Sequence, residues 1–134
     1  MKVTTVLLAT DSDDLFLAVD AALATADTEV LRVRKGVDVV PVCARREPDI
    51  VLLDLQIGNM GGMAASLAVR HAQERGEAPI VPVALLLDRD VDVVLGRQAK
   101  VDGWLIKPLD ALRLESLVTS LLNHETYFEE ASIA

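Results

Sequence analysis

The chain has 134 residues, enough for one domain with a full core and too few for two. Apolar residues make up 51% of it and aromatic residues only 3%, so aliphatic side chains must fill the interior. A formal net charge of −8, with no basic cluster larger than Arg45–Arg46 and its scattered neighbours, argues against direct nucleic-acid binding, which needs a concentrated positive face. The single cysteine, Cys43, excludes an internal disulfide and suits a reducing compartment. The apolar stretch that follows Met1-Lys2-Val3 ends at Asp11. It is too short to span a membrane and has no cleavage pattern, so the expected setting is cytoplasmic, with no membrane partner.

In chain order, short aliphatic runs alternate with helical patterns. Val6–Thr10 reads as a buried strand that stops at Asp11. Leu15, Ala18, Val19, Ala22 and Leu23 then recur at helical spacing, with Ser12, Asp13 and Asp14 as candidate caps. Glu29–Arg34 alternates like a strand with one wetter face. A short helix over Asp38–Arg46 tolerates Pro41 only in its first turn. Ile50–Leu53 is a third strand, ending at Asp54, and Gly58, Gly61 and Gly62 mark a flexible loop. Ala64–Arg75 is a helix closed by Gly76. Ile80–Leu87 predicts a fourth strand and Val91–Lys100 a valine-rich helix of weaker propensity. Gly103–Ile106 is a fifth strand, Pro108 breaks the chain, and Ala111–Leu122 forms the last helix. Residues 1–124 thus read as one domain, and the acidic tail 125–134 is expected to be flexible.

Five βα units with right-handed crossovers give an α/β fold, a doubly wound parallel sheet with helices on both faces. Sites in such sheets lie beyond the carboxyl ends of the strands. Asp11, Asp54 and Lys107 follow the first, third and fifth strands, so all three are expected to meet at one end. Two carboxylates held close repel each other and call for a cation. Mg²⁺ suits them, because it takes a few carboxylates together with water and phosphate oxygens. An aspartate can attack a phosphoryl donor, while the metal and an ammonium neutralise the charge that develops. Each residue also has a plainer reading: a solvated strand-end carboxylate for Asp54, a turn residue for Asp11, a surface lysine for Lys107.

The segment Pro48-Asp49-Ile50-Val51-Leu52-Leu53-Asp54-Leu55 resembles the acceptor motif of response-regulator receiver domains, the CheY-like superfamily. Met60 and Gly62 match the loop that follows it. Trp104-Leu105-Ile106-Lys107-Pro108 is similar to the family's aromatic-x-x-Lys-Pro signature, whose Lys–Pro bond is usually cis. The resemblance covers about residues 3 to 124 and implies the flavodoxin-like strand order 2-1-3-4-5. It implies Asp54 as phosphoacceptor with Lys107 beside it. Mg²⁺ would be held by Asp11, Asp54 and the Gln56 backbone carbonyl. It further implies a histidine kinase or phosphotransfer protein as donor, and an effector protein bound through the α4-β5-α5 face, roughly Val91–Lys100, Trp104 and Ala111–Leu122. A homodimer through that face is in keeping with the family.

Three departures stand out. Thr10 and Asp11 occupy the place of two adjacent acids, so one acid is lost and Mg²⁺ binding should weaken. No Ser or Thr lies between Glu74 and Pro108, so the hydroxyl expected at the end of the fourth strand is missing. Counting back from Lys107 puts that position at Leu85. Trp104 replaces the family's switching Tyr or Phe and reads equally as a switch residue or an exposed docking anchor, next to Pro108. Gly58 and Gly61 replace the loop's usual proline and acid and should loosen it. Two readings stay open: a stand-alone response regulator, not an enzyme, that takes part in a two-component phosphorelay, and an atypical receiver kept as a phosphorylation-independent interaction module. A haloacid-dehalogenase-type phosphatase, suggested by Asp11-Ser12-Asp13, would need a longer domain.

Overall fold

The computed structural model of the chain describes residues 3–130. The strands are β1 (Thr4–Ala9), β2 (Thr28–Val33), β3 (Ile50–Asp54), β4 (Val83–Leu87), β5 (Gly103–Ile106) and β6 (Tyr127–Phe128). The helices are α1 (Asp13–Leu23), α2 (Val39–Arg46), α3 (Gly62–Glu74), α4 (Val93–Gln98) and α5 (Ala111–Leu122). Single 3₁₀ turns, Gly36–Asp38 and Asp90–Asp92, lead into α2 and α4. All strands run parallel in one sheet of order β2-β1-β3-β4-β5-β6. The expected α/β fold and the order of its first five strands are therefore present, and a sixth strand is added.

Every residue of β3 and β4 is buried, as continuous aliphatic runs in a sheet covered on both faces require. Alternation then splits the core in two. Leu7, Val51, Leu53, Leu85, Leu87 and Trp104 face α2, α3 and α4. Leu8, Ile50, Leu52, Leu86 and Leu105 face α1 and α5. Local signals mark the helix ends. The Ser12 side chain accepts from Leu15 N at 3.1 Å and caps α1, and Asp110 caps α5 through Arg113 N at 2.9 Å. Pro41 sits in the first turn of α2, where a missing N–H costs nothing. At the amino ends of the strands, Asp49 and Asp102 serve the backbone: their carboxylates accept from Thr5 N and Val83 N, each at 2.8 Å.

Two expectations need correction. β4 begins at Val83, three residues later than the apolar pattern suggested, because Pro79 and Pro82 withhold ladder donors and Ile80 is left largely exposed. The loop after Asp54 is held, not loosened: Gly36 N donates to Gly58 O and Val37 N to Asn59 O. Asn59 and Met60 adopt left-handed φ values of 53° and 77° to make that approach. The tail from Glu125, expected to be flexible, is described as far as Glu130. The chain turns after α5 and Tyr127–Phe128 pairs with Gly103–Trp104 of β5. The end of the expected tail, 131–134, lies outside the described residues.

Gly36 explains why the loop stays in place. A Cβ there would lie 1.8 Å from the Met60 carbonyl oxygen and 2.8 Å from that of Asn59. Gly36→Ala must push the Asp54 loop away and is expected to lower unfolding stability by on the order of 1–3 kcal/mol in urea titrations. A change within error would mean that the loop yields freely.

Candidate functional site

The carboxyl ends of β1, β3, β4 and β5 bring together Thr10, Asp11, Asp54, Asp88 and Lys107, one after another along the sheet. Asp54 is the last residue of β3 and only 3% exposed. Lys107, just past β5, donates from Nζ to Asp54 Oδ1 at 2.6 Å and to Asp88 Oδ1 at 2.9 Å. Burial alone would depress the ammonium's pKa. The hydrogen bonds and negative charge of Asp54 and Asp88 outweigh it, so Lys107 titrates above its ordinary value and stays charged at neutral pH.

The other oxygen of Asp54 is also held. Thr10 Oγ1 donates to Asp54 Oδ2 at 2.7 Å, and the Thr10 side chain is fully buried. The same hydroxyl oxygen accepts from Ser12 N at 3.1 Å, which fixes its proton toward Asp54. The loop after β3 then ties the two flanking aspartates together. Gln56 N donates to Asp54 Oδ1 at 3.2 Å, and Gly58 N donates to Asp11 Oδ2 at 3.1 Å. Arg32 closes the β2 side: its Nε donates to Thr10 O at 3.0 Å, and its Nη1 to Asp13 Oδ1 at 2.7 Å. Asp13 is therefore a partner of Arg32 and Arg34, which lower its carboxyl pKa; it is not part of the acidic mouth.

Sequence reasoning placed Asp11, Asp54 and Lys107 at one end of the sheet, and the structure brings them together; Gln56, named only through the resemblance, touches Asp54 through its backbone N–H. Leu85 lies elsewhere. It is in mid-strand, opposite Leu53 and Trp104, two residues short of the β4 end at Leu87. The count back from Lys107 assumed a longer β4–β5 connection. The residue paired with Asp54 is Leu86, and neither Leu86 nor Leu87 carries a hydroxyl. Trp104 is 5% exposed. Its ring lies under Gly96 of α4, where a Cβ would come within 2.9 Å, and is covered by Phe128. Lys107–Pro108 is cis, as the motif implied.

Two site residues were missed. Thr10 had been read only as a lost acid, although a hydroxyl in that place can bond the neighbouring carboxylate. Asp88 follows β4 as Asp11 and Asp54 follow or end their strands; the run Ile80–Leu87 already ended at the right residue, but the strand-end rule was applied only to the first, third and fifth strands. Among the described residues no group of three His, Cys, Asp or Glu is arranged to hold a metal by itself. The mouth nevertheless carries three carboxylates against one ammonium, and Asp88 Oδ2 is buried without a partner. This excess of hard, negative oxygen is of a kind that suits a divalent cation with several retained waters.

The comparisons with known proteins agree with this geometry. Residues 6–119 match the sequence model of the response regulator receiver domain. The chain belongs to that family. It is 25% identical over 117 residues to Protein PilH of Pseudomonas aeruginosa, covering 87% of this chain and 96% of that one. It is 25% identical over 118 residues to Transcriptional regulatory protein AfsQ1 of Streptomyces coelicolor, where it covers 87% of this chain but only 50% of the relative. The receiver thus spans nearly all of one relative and half of the other. Among solved structures, a putative response regulator from Chloroflexus aurantiacus superposes with a TM-score of 0.81 at 23% identity, covering 91% of this chain and 99% of that one. Vibrio cholerae chemotaxis protein CheY4 superposes with a TM-score of 0.76 at 21% identity, covering 89% and 98%. The protein is a receiver-type signalling module of two-component systems. No helix among the described residues is long and apolar enough to cross a membrane.

The Thr10 hydroxyl bonds a buried carboxylate, so Thr10→Val, nearly the same shape, should cost about 1.5–3 kcal/mol in urea unfolding. In an Asp54→Ala background the same substitution should cost much less, the two residues being coupled. Equal costs in both backgrounds would dissociate the hydroxyl from Asp54.

Proposed function

We propose that this receiver accepts a phosphoryl group on Asp54 and signals by binding another protein. The observation that carries the reading is a buried strand-end carboxylate held at 2.6 Å by Lys107, with Asp11 tied to the same loop. The donor would be the phosphohistidine of a histidine kinase or phosphotransfer protein. A carboxylate oxygen of Asp54 attacks phosphorus, the P–N bond breaks, and its electron pair leaves on the imidazole nitrogen, which takes up a proton. Lys107 gives up its bond to Asp54 and turns its ammonium toward the phosphoryl oxygens, remaining paired with Asp88. The Gln56 and Gly58 amides keep the acceptor and Asp11 in register.

Asp11, Asp54 and the Gln56 carbonyl would hold Mg²⁺, which supplies charge neutralisation on the transferred group. With Thr10 in place of a second acid, fewer charged ligands are available, and binding is expected to be weak. Thr10 also gives the protein something an acid would not: a donor to Asp54, so that both Asp54 oxygens are paired without a metal.

The test uses the full chain with Mg²⁺ and beryllofluoride, followed by amide NMR shifts and by the fluorescence of Trp104, the single tryptophan. Saturable shifts around Asp11, Asp54 and Lys107 are expected, and Asp54→Asn should abolish the beryllofluoride response. A phosphoryl mass added by a small-molecule donor to the wild type, and absent from Asp54→Asn, is the covalent counterpart. No response to either ligand would sink the acceptor role. Thr10→Asp should tighten Mg²⁺ roughly tenfold while destabilising the metal-free protein, because it places a carboxylate against Asp54.

A further inference from the structure

The chain's last described residues do more than extend the sheet. Tyr127 N donates to Asp102 O at 3.1 Å, and the two-residue strand lies along β5. The Phe128 ring packs on Trp104 with centroids 4.4 Å apart. Glu129 makes the densest set of contacts. Its backbone carbonyl accepts from Trp104 Nε1 at 2.7 Å, and its Oε1 accepts from Ile106 N at 2.7 Å. That side chain therefore takes the place of a ladder acceptor where β6 has ended. Arg113 of α5 grips both carboxylate oxygens, from Nε at 2.6 Å and through a second, shorter contact from Nη2. Arg113 is itself oriented by the Ile106 and Pro108 carbonyls, each at 2.8 Å.

Three features suggest that β5 is built to receive such a strand. Gly103 leaves room for it: a Cβ there would lie 2.6 Å from the Tyr127 carbonyl oxygen. Arg97 and Lys100 line a cavity of about 460 Å³ beside Phe128, Glu129 and Glu130, so cations flank an acidic segment. Arg113 would otherwise stand next to an open strand edge with a bare Ile106 N–H.

We infer that the β5 edge between α4 and α5 is a binding site for an extended peptide in which an aromatic residue is followed by glutamate, and that Tyr127-Phe128-Glu129 is its resident ligand. An incoming segment adds as a parallel sixth strand, seats its ring on Trp104 and its carboxylate on Arg113, and must displace the chain's own tail to do so. This deepens the effector-binding half of the function proposed above and does not require Asp54 to be phosphorylated.

The test uses a fluorescently labelled peptide of residues 124–130 and the full-length chain. In the wild type the tethered tail competes at high effective concentration, so the peptide should bind poorly. In full-length Phe128→Ala/Glu129→Ala the site is vacated, and the peptide should bind at least about tenfold tighter. A peptide with alanine in place of the glutamate, or of the phenylalanine, should lose that gain. Should the double variant fold poorly, as judged by circular dichroism, Glu129→Gln alone should give an intermediate gain. Equal affinity for wild type and both variants, or equal binding of the alanine peptides, would overturn the site. The beryllofluoride response of Asp54, read in the same samples, separates that outcome from a failure of the acceptor role.

Discussion

The ion pair between Asp54 and Lys107 is the contact on which the arrangement of this domain turns. β3 is buried along its whole length, so its last residue reaches the surface only at the bottom of a mouth where water is scarce. A carboxylate in such a place needs a partner charge. The partner comes from the far end of β5, 53 residues later, and reaches across β4. The parallel order β3-β4-β5 is what allows this, because it places three strand ends side by side. β4 contributes Asp88 as the second carboxylate on the same ammonium, so the charge of Lys107 is shared and not fully spent on Asp54.

Much of this was legible in residues. The aliphatic runs at Val6, Ile50 and Ile80, each followed by acid or turn residues, announced a doubly wound sheet, and parallel topology forced Asp11, Asp54 and Lys107 to one end. Leu85 shows where counting fails. Spacing along a chain passes through loops of variable length, and two residues fewer between β4 and β5 shift the position sought from Leu85 to Leu87, where the apolar run itself ends. Thr10 escaped notice for a different reason. Its role is a single hydrogen bond across two strands, and no local pattern encodes a side-chain direction. The tail is the clearest case. Thr126-Tyr127-Phe128 carries strand-forming residues, yet so short a run beside acids reads as loop, and its pairing depends on Gly103 and Arg113 far from it in sequence.

The Asp54–Lys107 site and the β5 edge share one strand end. Ile106 is held by Glu129 and Arg113, and the next residue, Lys107, is held by Asp54 and Asp88. No hydroxyl stands at the end of β4 to link Asp54 with the β5 edge: Leu86 and Leu87 occupy that end. Adjacent peptide groups of β5 offer a shorter link. Any coupling along it must run both ways, because an occupant of the edge that favours one position of Lys107 is in turn favoured by it.

The two-residue strand β6 also bears on how the molecule survives in a concentrated solution. A parallel sheet of this kind ends in two strands with unused amide and carbonyl groups, which are templates for edge-to-edge polymerisation. On the β2 side, the exposed Glu29 makes the edge less attractive to another copy. β5 has no charged residue at all, only Gly103-Trp104-Leu105-Ile106. With a glutamate capping the Ile106 amide and a phenylalanine over the indole, that apolar edge is closed to self-association. Its own tail is thus an aggregation guard, and a partner that removes it must keep the edge covered for as long as the complex lasts.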